Sequence, residues 1–258
     1  MVGYTEYMNK KPINVYWAPY YFYEIGGDWT FLYPKPKTLF HELKENQLDP
    51  TNKRSYLFCP ATSERLKKTL VVNNSMPSSY EYSTDAGQTT INPLSSEYLN
   101  AHIFRSPAMN FGPTVSFAVK YLFFADQPLN IELLPPYFHK PKYTNYGTII
   151  GGEFDIGNWF RPIDFEVQMW ENNGKIVFKE NEPLFYFNFK TKKQILLHRF
   201  EVTDKIIKYA EANMGYSKVF GKSIPFVKRY EKFNKVGYRE KILTEINKNL
   251  IEEEPYKF

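Results

Sequence analysis

The chain has 258 residues, of which 43% are apolar and 24% are charged, and these fractions exclude an intrinsically disordered protein. Its 33 basic and 28 acidic residues leave a mild formal net charge of +5. The single cysteine, Cys59, excludes an intrachain disulfide and any metal site built from several cysteines.

Aromatic residues are unusually frequent, with 22 Phe, 21 Tyr and 4 Trp making up 18% of the chain. Aromatic side chains favour strands and half-buried surfaces, and they are enriched at protein interfaces. Together with 18 prolines they predict β structure with long ordered loops. They also suggest a protein partner, or a homo-oligomer, that binds through an aromatic surface.

Strand-like segments recur along the first 202 residues, and turn residues separate them. The pattern begins with a strand at 11–19, a short helix at 38–46 capped by Thr38, and a strand at 55–60. Residues 75–97 are expected to form a long loop with one hairpin, and Asn172-Asn173-Gly174 predicts another hairpin. Further strands are predicted at 69–74, 102–107, 114–125, 128–138, 147–156, 162–170, 175–180, 183–190 and 194–202. This spacing is typical of an antiparallel sandwich or a jelly-roll-like barrel.

The pattern becomes helical after residue 202. Residues 203–215 and 238–254 carry apolar side chains at helical spacing, and Gly215 follows the first of these segments. We therefore predict a mainly β fold with C-terminal α-helices. Residues 1–202 would form the β-rich body, and residues 203–258 a helical portion packed on the same domain.

Basic and aromatic residues alternate in the segment 216–241, which has two interpretations. Phosphate contact and base stacking through such a pattern would bind a nucleotide or single-stranded nucleic acid. An amphipathic helix with its aromatic side chains inward and its lysines outward gives the same pattern and is the favoured interpretation.

The stretch GGEFDIGNWFRP, residues 151–162, is the strongest candidate for a polar site in the β body. Glu153 and Asp155 share one face of a strand, and a tight corner then brings Arg161 near them. The favoured interpretation is an ion pair that holds the turn. In the functional alternative the carboxylates act as acid and base or bind a metal, and Arg161 receives an anion.

Histidines provide a second candidate site. His102, His139 and His198 lie on different predicted strands or their loops, and a β sandwich can bring them together with Asp155 or Glu153. That arrangement would make the protein a cupin-like metal-dependent enzyme with a divalent metal as its cofactor.

Long runs of the sequence resemble a known group of proteins. The run PPYFH…GGEFDIGNWFRPIDFEVQMW…VFKENEPLFYFNF, with INVYWAP and DWTFLYPKP, is similar to uncharacterised β-rich proteins of marine tailed phages and their distant bacterial relatives. The resemblance covers most of the chain, and it carries no assigned activity. It implies a viral protein expressed in the host cytoplasm.

A smaller resemblance involves Gly152-Glu153-Phe154-Asp155, which is similar to the Gly-x-Ile-Asp turn of the trimeric nucleotide hydrolases and deaminases related to dUTPase. Phe154 stands where Ile is usual, and the Gly-rich C-terminal motif of those enzymes has no counterpart in EEEPYKF.

Three functions follow from the sequence. The first is a phage-type accessory or virion-associated protein that acts by binding and needs no cofactor. The others are the metal-dependent enzyme and the binder of nucleotide or single-stranded nucleic acid. We expect a cytoplasmic location and no membrane partner, because the N-terminus has no signal-peptide core and no apolar run reaches the ~18 residues of a membrane helix.

Overall fold

The computed structural model describes residues 11–20, 35–46, 55–75, 77–85, 88–93, 101–104, 112–214, 218–219, 222–223, 228, 231, 233, 237–251 and 254–258. Two large β-sheets share one apolar core, and helices pack against the outer face of each sheet. The described strands form open sheets rather than a closed barrel. The prediction of a mainly β, sandwich-like fold with C-terminal helices is therefore confirmed.

The larger sheet, sheet A, has seven strands and consists mostly of antiparallel pairs. In spatial order its strands are β17 (Tyr256–Lys257), β14 (Ile195–Arg199), β1 (Ile13–Pro19), β7 (Thr114–Ala125), β11 (Pro162–Met169) and β9 (Gly147–Ile149), and β6 (Ala101–Phe104) also pairs with β7. The pair β1–β14 is parallel, unlike every other pair among the described strands.

Sheet B faces sheet A, and the described strands also form two smaller sheets. The strands of sheet B, in order, are β10 (Gly152–Asp155), β8 (Asn130–Leu134), β13 (Pro183–Phe189), β3 (Thr69–Asn73) and β2 (Lys37–Thr38). The third sheet contains β12 (Asn173–Phe178), β4 (Ser78–Asp85) and β5 (Gln88–Pro93), and a short ribbon contains β15 (Lys218–Val219) and β16 (Lys222–Ser223).

Strand β13 shows how aromatic residues fill the interior of the protein. All seven of its residues are buried, because sheet A covers one face of the strand and helices cover the other. Phe185, Phe187 and Phe189 belong to the central core, where the ring centroid of Phe187 lies 4.9 Å from that of Phe123 in β7. Tyr186 points the opposite way, as the period of two in a strand requires. A strand buried on both faces has a continuous apolar sequence.

Four α-helices among the described residues form the outer layers. Helices α1 (Leu39–Glu45) and α2 (Pro60–Lys67) pack on sheet B, and α3 (Asp204–Met214) and α4 (Tyr238–Lys248) pack on sheet A. The Thr38 hydroxyl accepts a hydrogen bond from the backbone N–H of His41, as expected for the predicted N-cap. In the part of the chain that the structure describes, no helix has the length and apolar character needed to cross a bilayer.

Several local predictions were wrong. The single strand expected at 147–156 is divided into β9, which pairs in sheet A, and β10, which pairs in sheet B. Residues 55–60 form a 3₁₀ helix, Tyr56–Phe58, because the Ser55 hydroxyl caps its first turn and Pro60 then starts α2. The Asn172-Asn173-Gly174 turn does not make a hairpin: β11 before it lies in sheet A, whereas β12 after it pairs with β4. The residues of a turn therefore do not decide by themselves that the two strands flanking it pair with each other.

The C-terminal portion is also more than a layer of helices. After α4 the chain returns to sheet A, where β17 pairs antiparallel with β14 through Leu197 and Tyr256. Phe258 then packs against Phe189 in the central core, with their ring centroids 5.5 Å apart. The last strand therefore forms one edge of the sandwich, beside the edge strand β2 of sheet B.

Candidate functional site

The carboxylate of Asp155 closes the turn after β10. Its Oδ1 accepts hydrogen bonds from the backbone N–H groups of Gly157 and Asn158 at 3.2 and 3.1 Å, and its Oδ2 accepts one from Nδ2 of Asn158 at 3.0 Å. Glu153, two residues earlier, accepts a hydrogen bond at 2.5 Å from Nδ2 of Asn130 on the neighbouring strand. Asp155 thus acts as a turn cap.

Arg161 does not pair with either carboxylate, so the predicted ion pair across the corner is wrong. Its Nε is buried without a hydrogen-bond partner among the described residues. Its charge acts instead on Glu166. Burial is the main cause that raises the pKa of the Glu166 carboxyl, and the charge of Asp164 adds to it. The positive charges of Arg161 and Lys120 oppose this rise. The hydrogen bonds of the turn already occupy the oxygens of Asp155, and these satisfy the carboxylate locally.

The structure does not bring His139 and His198 together. His139 bonds to Tyr186, in the cluster between sheet B and α1, whereas His198 stacks on Tyr16, in the cluster between sheet A and the C-terminal helices. They therefore lie on opposite outer sides of the two-sheet core. The side chain of His102 lies outside the described residues. Among the described side chains, no three or more of His, Cys, Asp and Glu are grouped in a way that could hold a metal ion.

His139 joins a carboxylate to a phenol. Its Nε2 lies 3.2 Å from Oε1 of Glu42 in α1, and its Nδ1 forms a hydrogen bond with the hydroxyl of Tyr186 in β13. Burial raises the pKa of Tyr186, so its hydroxyl keeps its proton. A carboxylate, an imidazole and a hydroxyl in this order also occur around activated nucleophiles in enzymes. Tyr186 is 0% exposed, however, so a substrate does not reach its hydroxyl. The chain of hydrogen bonds holds α1 against sheet B.

His198 belongs to a second structural network. Its Nε2 lies 3.0 Å from Oδ1 of Asn14, and the backbone N–H and Nδ2 of Asn14 donate to the two oxygens of Asp126 at 3.0 and 2.7 Å. Burial lowers the pKa of His198, an effect that the charge of Asp126 opposes only in part. The neutral ring donates to the amide oxygen of Asn14 and so ties the parallel strands β1 and β14 together.

Most of the basic segment 216–241 lies outside the described residues. Within it, Lys218–Val219 and Lys222–Ser223 pair as the short ribbon, so the predicted amphipathic helix does not cover that part. Phe233 packs in the cluster under α3 and α4, as that interpretation expects of an aromatic residue, and Lys228 is exposed. The phosphate-contact interpretation of this segment stays a prediction.

The strongest candidate site lies elsewhere, at the edge of the sandwich where β17 of sheet A meets β2 of sheet B. The Tyr256 hydroxyl joins the two edges, because it accepts a hydrogen bond at 3.1 Å from the backbone N–H of Thr38 and lies 3.1 Å from Nδ1 of His41. Beside this junction is an opening of about 670 Å³, which we call the lysine cleft. It is lined by Thr38, Phe40, His41, Glu64, Lys67, Lys68, Lys192, Gln194, Lys257 and Phe258.

The lining of the lysine cleft is strongly positive, with four lysines against one carboxylate, Glu64. Lys67 pairs with Glu64 at 2.9 Å, and Lys257 pairs with Glu254 at 2.8 Å, but both pairs are exposed. Exposed pairs are screened by water and worth little. The cleft therefore keeps a positive potential, which favours an anionic ligand.

Lys68 is the most distinctive group in the cleft. Its ammonium lies 5.8 Å from the ring centroid of Phe258, and it forms no hydrogen bond or ion pair with another described residue. Burial lowers the pKa of this lysine, because the charged form loses hydration, although the charge of Glu64 counteracts the effect. An anion in the cleft would supply the partner that the half-buried ammonium lacks.

Aromatic rings accompany the lysines. The Lys67 ammonium lies 5.5 Å from the ring centroid of Phe40, and the two Phe rings of the lining, Phe40 and Phe258, are only partly buried. Lysines beside accessible rings are the combination that binds phosphate groups and stacks flat heterocycles. None of the residues singled out from the sequence as a site lies in this cleft.

The chain matches no protein-family model, no curated protein and no solved structure. A function for it is therefore inferred from its own side chains and their geometry.

Proposed function

We propose that the protein acts by binding, and that the lysine cleft receives a ligand that carries phosphate groups. The observation that carries the proposal is the convergence of Lys67, Lys68, Lys192 and Lys257 around one opening, with a single carboxylate among its lining residues. About 670 Å³ is within the usual range of small-molecule sites.

The chemistry of the lining favours phosphate over an apolar or cationic ligand. Ammonium groups bind phosphate oxygens through charge-assisted hydrogen bonds, each about twice as strong as a neutral one. Phe40 and Phe258 offer a surface for an attached base, so a nucleotide suits the cleft better than inorganic phosphate. The nucleotide-binding function proposed from the sequence is kept, but at a different place in the chain.

Replacing two cleft lysines should weaken binding of a nucleotide. In Lys68→Gln/Lys192→Gln we expect the affinity for thymidine monophosphate, measured by isothermal titration calorimetry, to fall about a hundredfold or more, since each of the two lost contacts to a charged group is worth about 1.5–3 kcal/mol. Lys175→Gln removes a positive charge from the exposed edge of β12 and serves as the matched control with unchanged affinity. Failure of the wild-type protein to bind the nucleotide, or equal affinity in the double variant, would rule the proposal out.

The pH dependence gives an independent readout at Lys68. The charged ammonium binds the anion, and burial lowers the pKa at which that charge is lost. We therefore expect nucleotide affinity to fall as the pH rises through this lowered pKa, and the fall to be absent in Lys68→Gln. The same pH titration in the Lys175→Gln control should match the wild-type protein.

The sequence resemblance supports a biological setting for this binding. We propose that the protein is an accessory or virion-associated component of a tailed phage, made in the host cytoplasm. The exposed aromatic side chains Tyr56, Phe58 and Tyr137 are consistent with a protein partner or a second copy of the chain. Mass spectrometry of purified particles and sedimentation of the protein test this setting. A strictly monomeric protein that is absent from particles and has no phage partner would contradict it.

A further inference from the structure

A second opening is lined by other residues of the C-terminal segment, Glu254, Pro255 and Tyr256, and contains an arginine. Its volume is about 330 Å³, and Trp17, Lys35, Leu197, Arg199, Glu254 and Tyr256 are among its lining residues. The guanidinium carbon of Arg199 lies 5.3 Å from the ring centroid of Trp17. We call this opening the arginine pocket.

The Arg199 guanidinium is held in place but lacks an acceptor. It lies over the Trp17 ring, and its Nε is buried with no hydrogen-bond partner in the described part of the chain. No carboxylate among the described residues forms an ion pair with it. Glu254, the carboxylate in the lining, pairs with Lys257 instead. A stacked guanidinium with unsatisfied donors is suited to bidentate contact with an anion.

The same three chain segments line both openings. In the segment that leads into β2, Pro36 lines the arginine pocket and Thr38 lines the lysine cleft. In the C-terminal strand, Tyr256 lines the arginine pocket and Lys257 lines the lysine cleft. The stretch that contains β14 runs from Gln194 in the cleft to Arg199 in the pocket, which is about 17 Å at ~3.4 Å per residue. The Lys257–Glu254 ion pair lies between the two openings.

We propose that the lysine cleft and the arginine pocket are successive subsites of one groove, and that its ligand is single-stranded nucleic acid, whose consecutive phosphates reach both. This inference rests on the proposed function and extends it from a nucleotide to a strand. A strand is favoured because each opening places a cation beside an aromatic ring, Lys68 beside Phe258 in the cleft and Arg199 beside Trp17 in the pocket. Proteins that bind single strands combine basic groups with aromatic rings over about 4–16 nucleotides. An acidic polypeptide would use the cations but not the rings.

The test compares a short strand with a single nucleotide in the same protein. Fluorescence anisotropy measures the affinity for a labelled oligothymidylate of about eight nucleotides. Competition against this labelled strand gives the affinities for thymidine monophosphate and for an oligoglutamate of equal charge. We expect the oligonucleotide to bind about tenfold or more tighter than the mononucleotide, and oligoglutamate to compete poorly. In Arg199→Gln, affinity for the oligonucleotide should fall about tenfold while affinity for the mononucleotide changes less than about twofold.

Control variants separate this inference from the proposed function. Arg65→Gln removes a half-exposed arginine of α2 that pairs with Glu132 at 3.7 Å, and it should leave every affinity unchanged. If the oligonucleotide binds no tighter than the mononucleotide, or Arg199→Gln affects both ligands equally or neither, the single groove is wrong although the lysine cleft stands. If oligoglutamate competes as well as the oligonucleotide, the ligand class is wrong. Loss of mononucleotide binding in the wild-type protein would instead overturn the proposed function itself.

Discussion

Replacing His139 with alanine should destabilise the protein strongly. The change removes the imidazole that bonds to both Glu42 and Tyr186, and it leaves a buried carboxylate whose Oε2 already has no hydrogen-bond partner among the described residues. Removing one member of a largely buried charged network costs about 3 kcal/mol, slightly less here because the ring is partly exposed. Thermal unfolding should show a melting temperature lower by about 6–12 °C for a chain of this size.

The reason for this loss is testable by removing the whole network. In Glu42→Leu/His139→Leu/Tyr186→Phe the carboxylate and the imidazole are removed together, so most of the stability lost in His139→Ala should return, although the backbone N–H of Phe138 loses its bond to the Tyr186 hydroxyl. Tyr186→Phe alone should cost only about 1 kcal/mol. A His139→Ala protein that unfolds at the wild-type temperature would mean that the network does not hold α1 to sheet B.

Adding a methyl group at Gly157 should have an effect of similar size. A Cβ there would lie 2.6 Å from Cα of Pro128, 2.7 Å from the carbonyl oxygen of Gln127 and 2.8 Å from the backbone nitrogen of Leu129. All three are backbone atoms, so the turn that Asp155 caps would have to move. We expect Gly157→Ala to lower the free energy of unfolding by about 3 kcal/mol, measured by urea denaturation.

Gly152, in the same sequence stretch, provides the matched control. A Cβ at Gly152 would meet only the ring of Phe154, at 3.4 Å and beyond, which is ordinary contact. Gly152→Ala should therefore change stability by less than about 0.5 kcal/mol. Equal stability of the two variants would show that the close approach at Gly157 relaxes without cost.

Much of the fold could be predicted from the sequence because its central strands are buried on both sides. The predicted strand 114–125 coincides with β7, and the predicted strands at 11–19 and 183–190 differ from β1 and β13 by at most two residues at either end. Continuous apolar runs rich in aromatic and β-branched residues are typical of such strands. The strand prediction for 55–60 was wrong because the apolar run there is short, and a short apolar run fits a strand or a helical turn equally well.

The candidate site could not be predicted in the same way. Lys68, Lys192 and Lys257 come from three distant parts of the chain, and only the pairing of β17 with β14 and its approach to β2 brings them together. The sequence reveals only groups that are close along the chain, such as the basic residues of 216–241 and the polar turn at 151–162. The weak signal that was present is the pairing of a lysine with a neighbouring aromatic residue, as in Lys257-Phe258.

The parallel pair β1–β14 has a consequence for how the chain folds. Ile13 pairs with Ile195, and β1 is a central strand of sheet A. During synthesis β14, the second neighbour of β1, is made only after most of the polypeptide. Until then β1 can be covered in the sheet only by its antiparallel pairing with β7. Non-local pairing of this kind slows folding and leaves apolar strands exposed to aggregation. Truncated chains that end before residue 195 should therefore accumulate as insoluble material even though they contain most of the core.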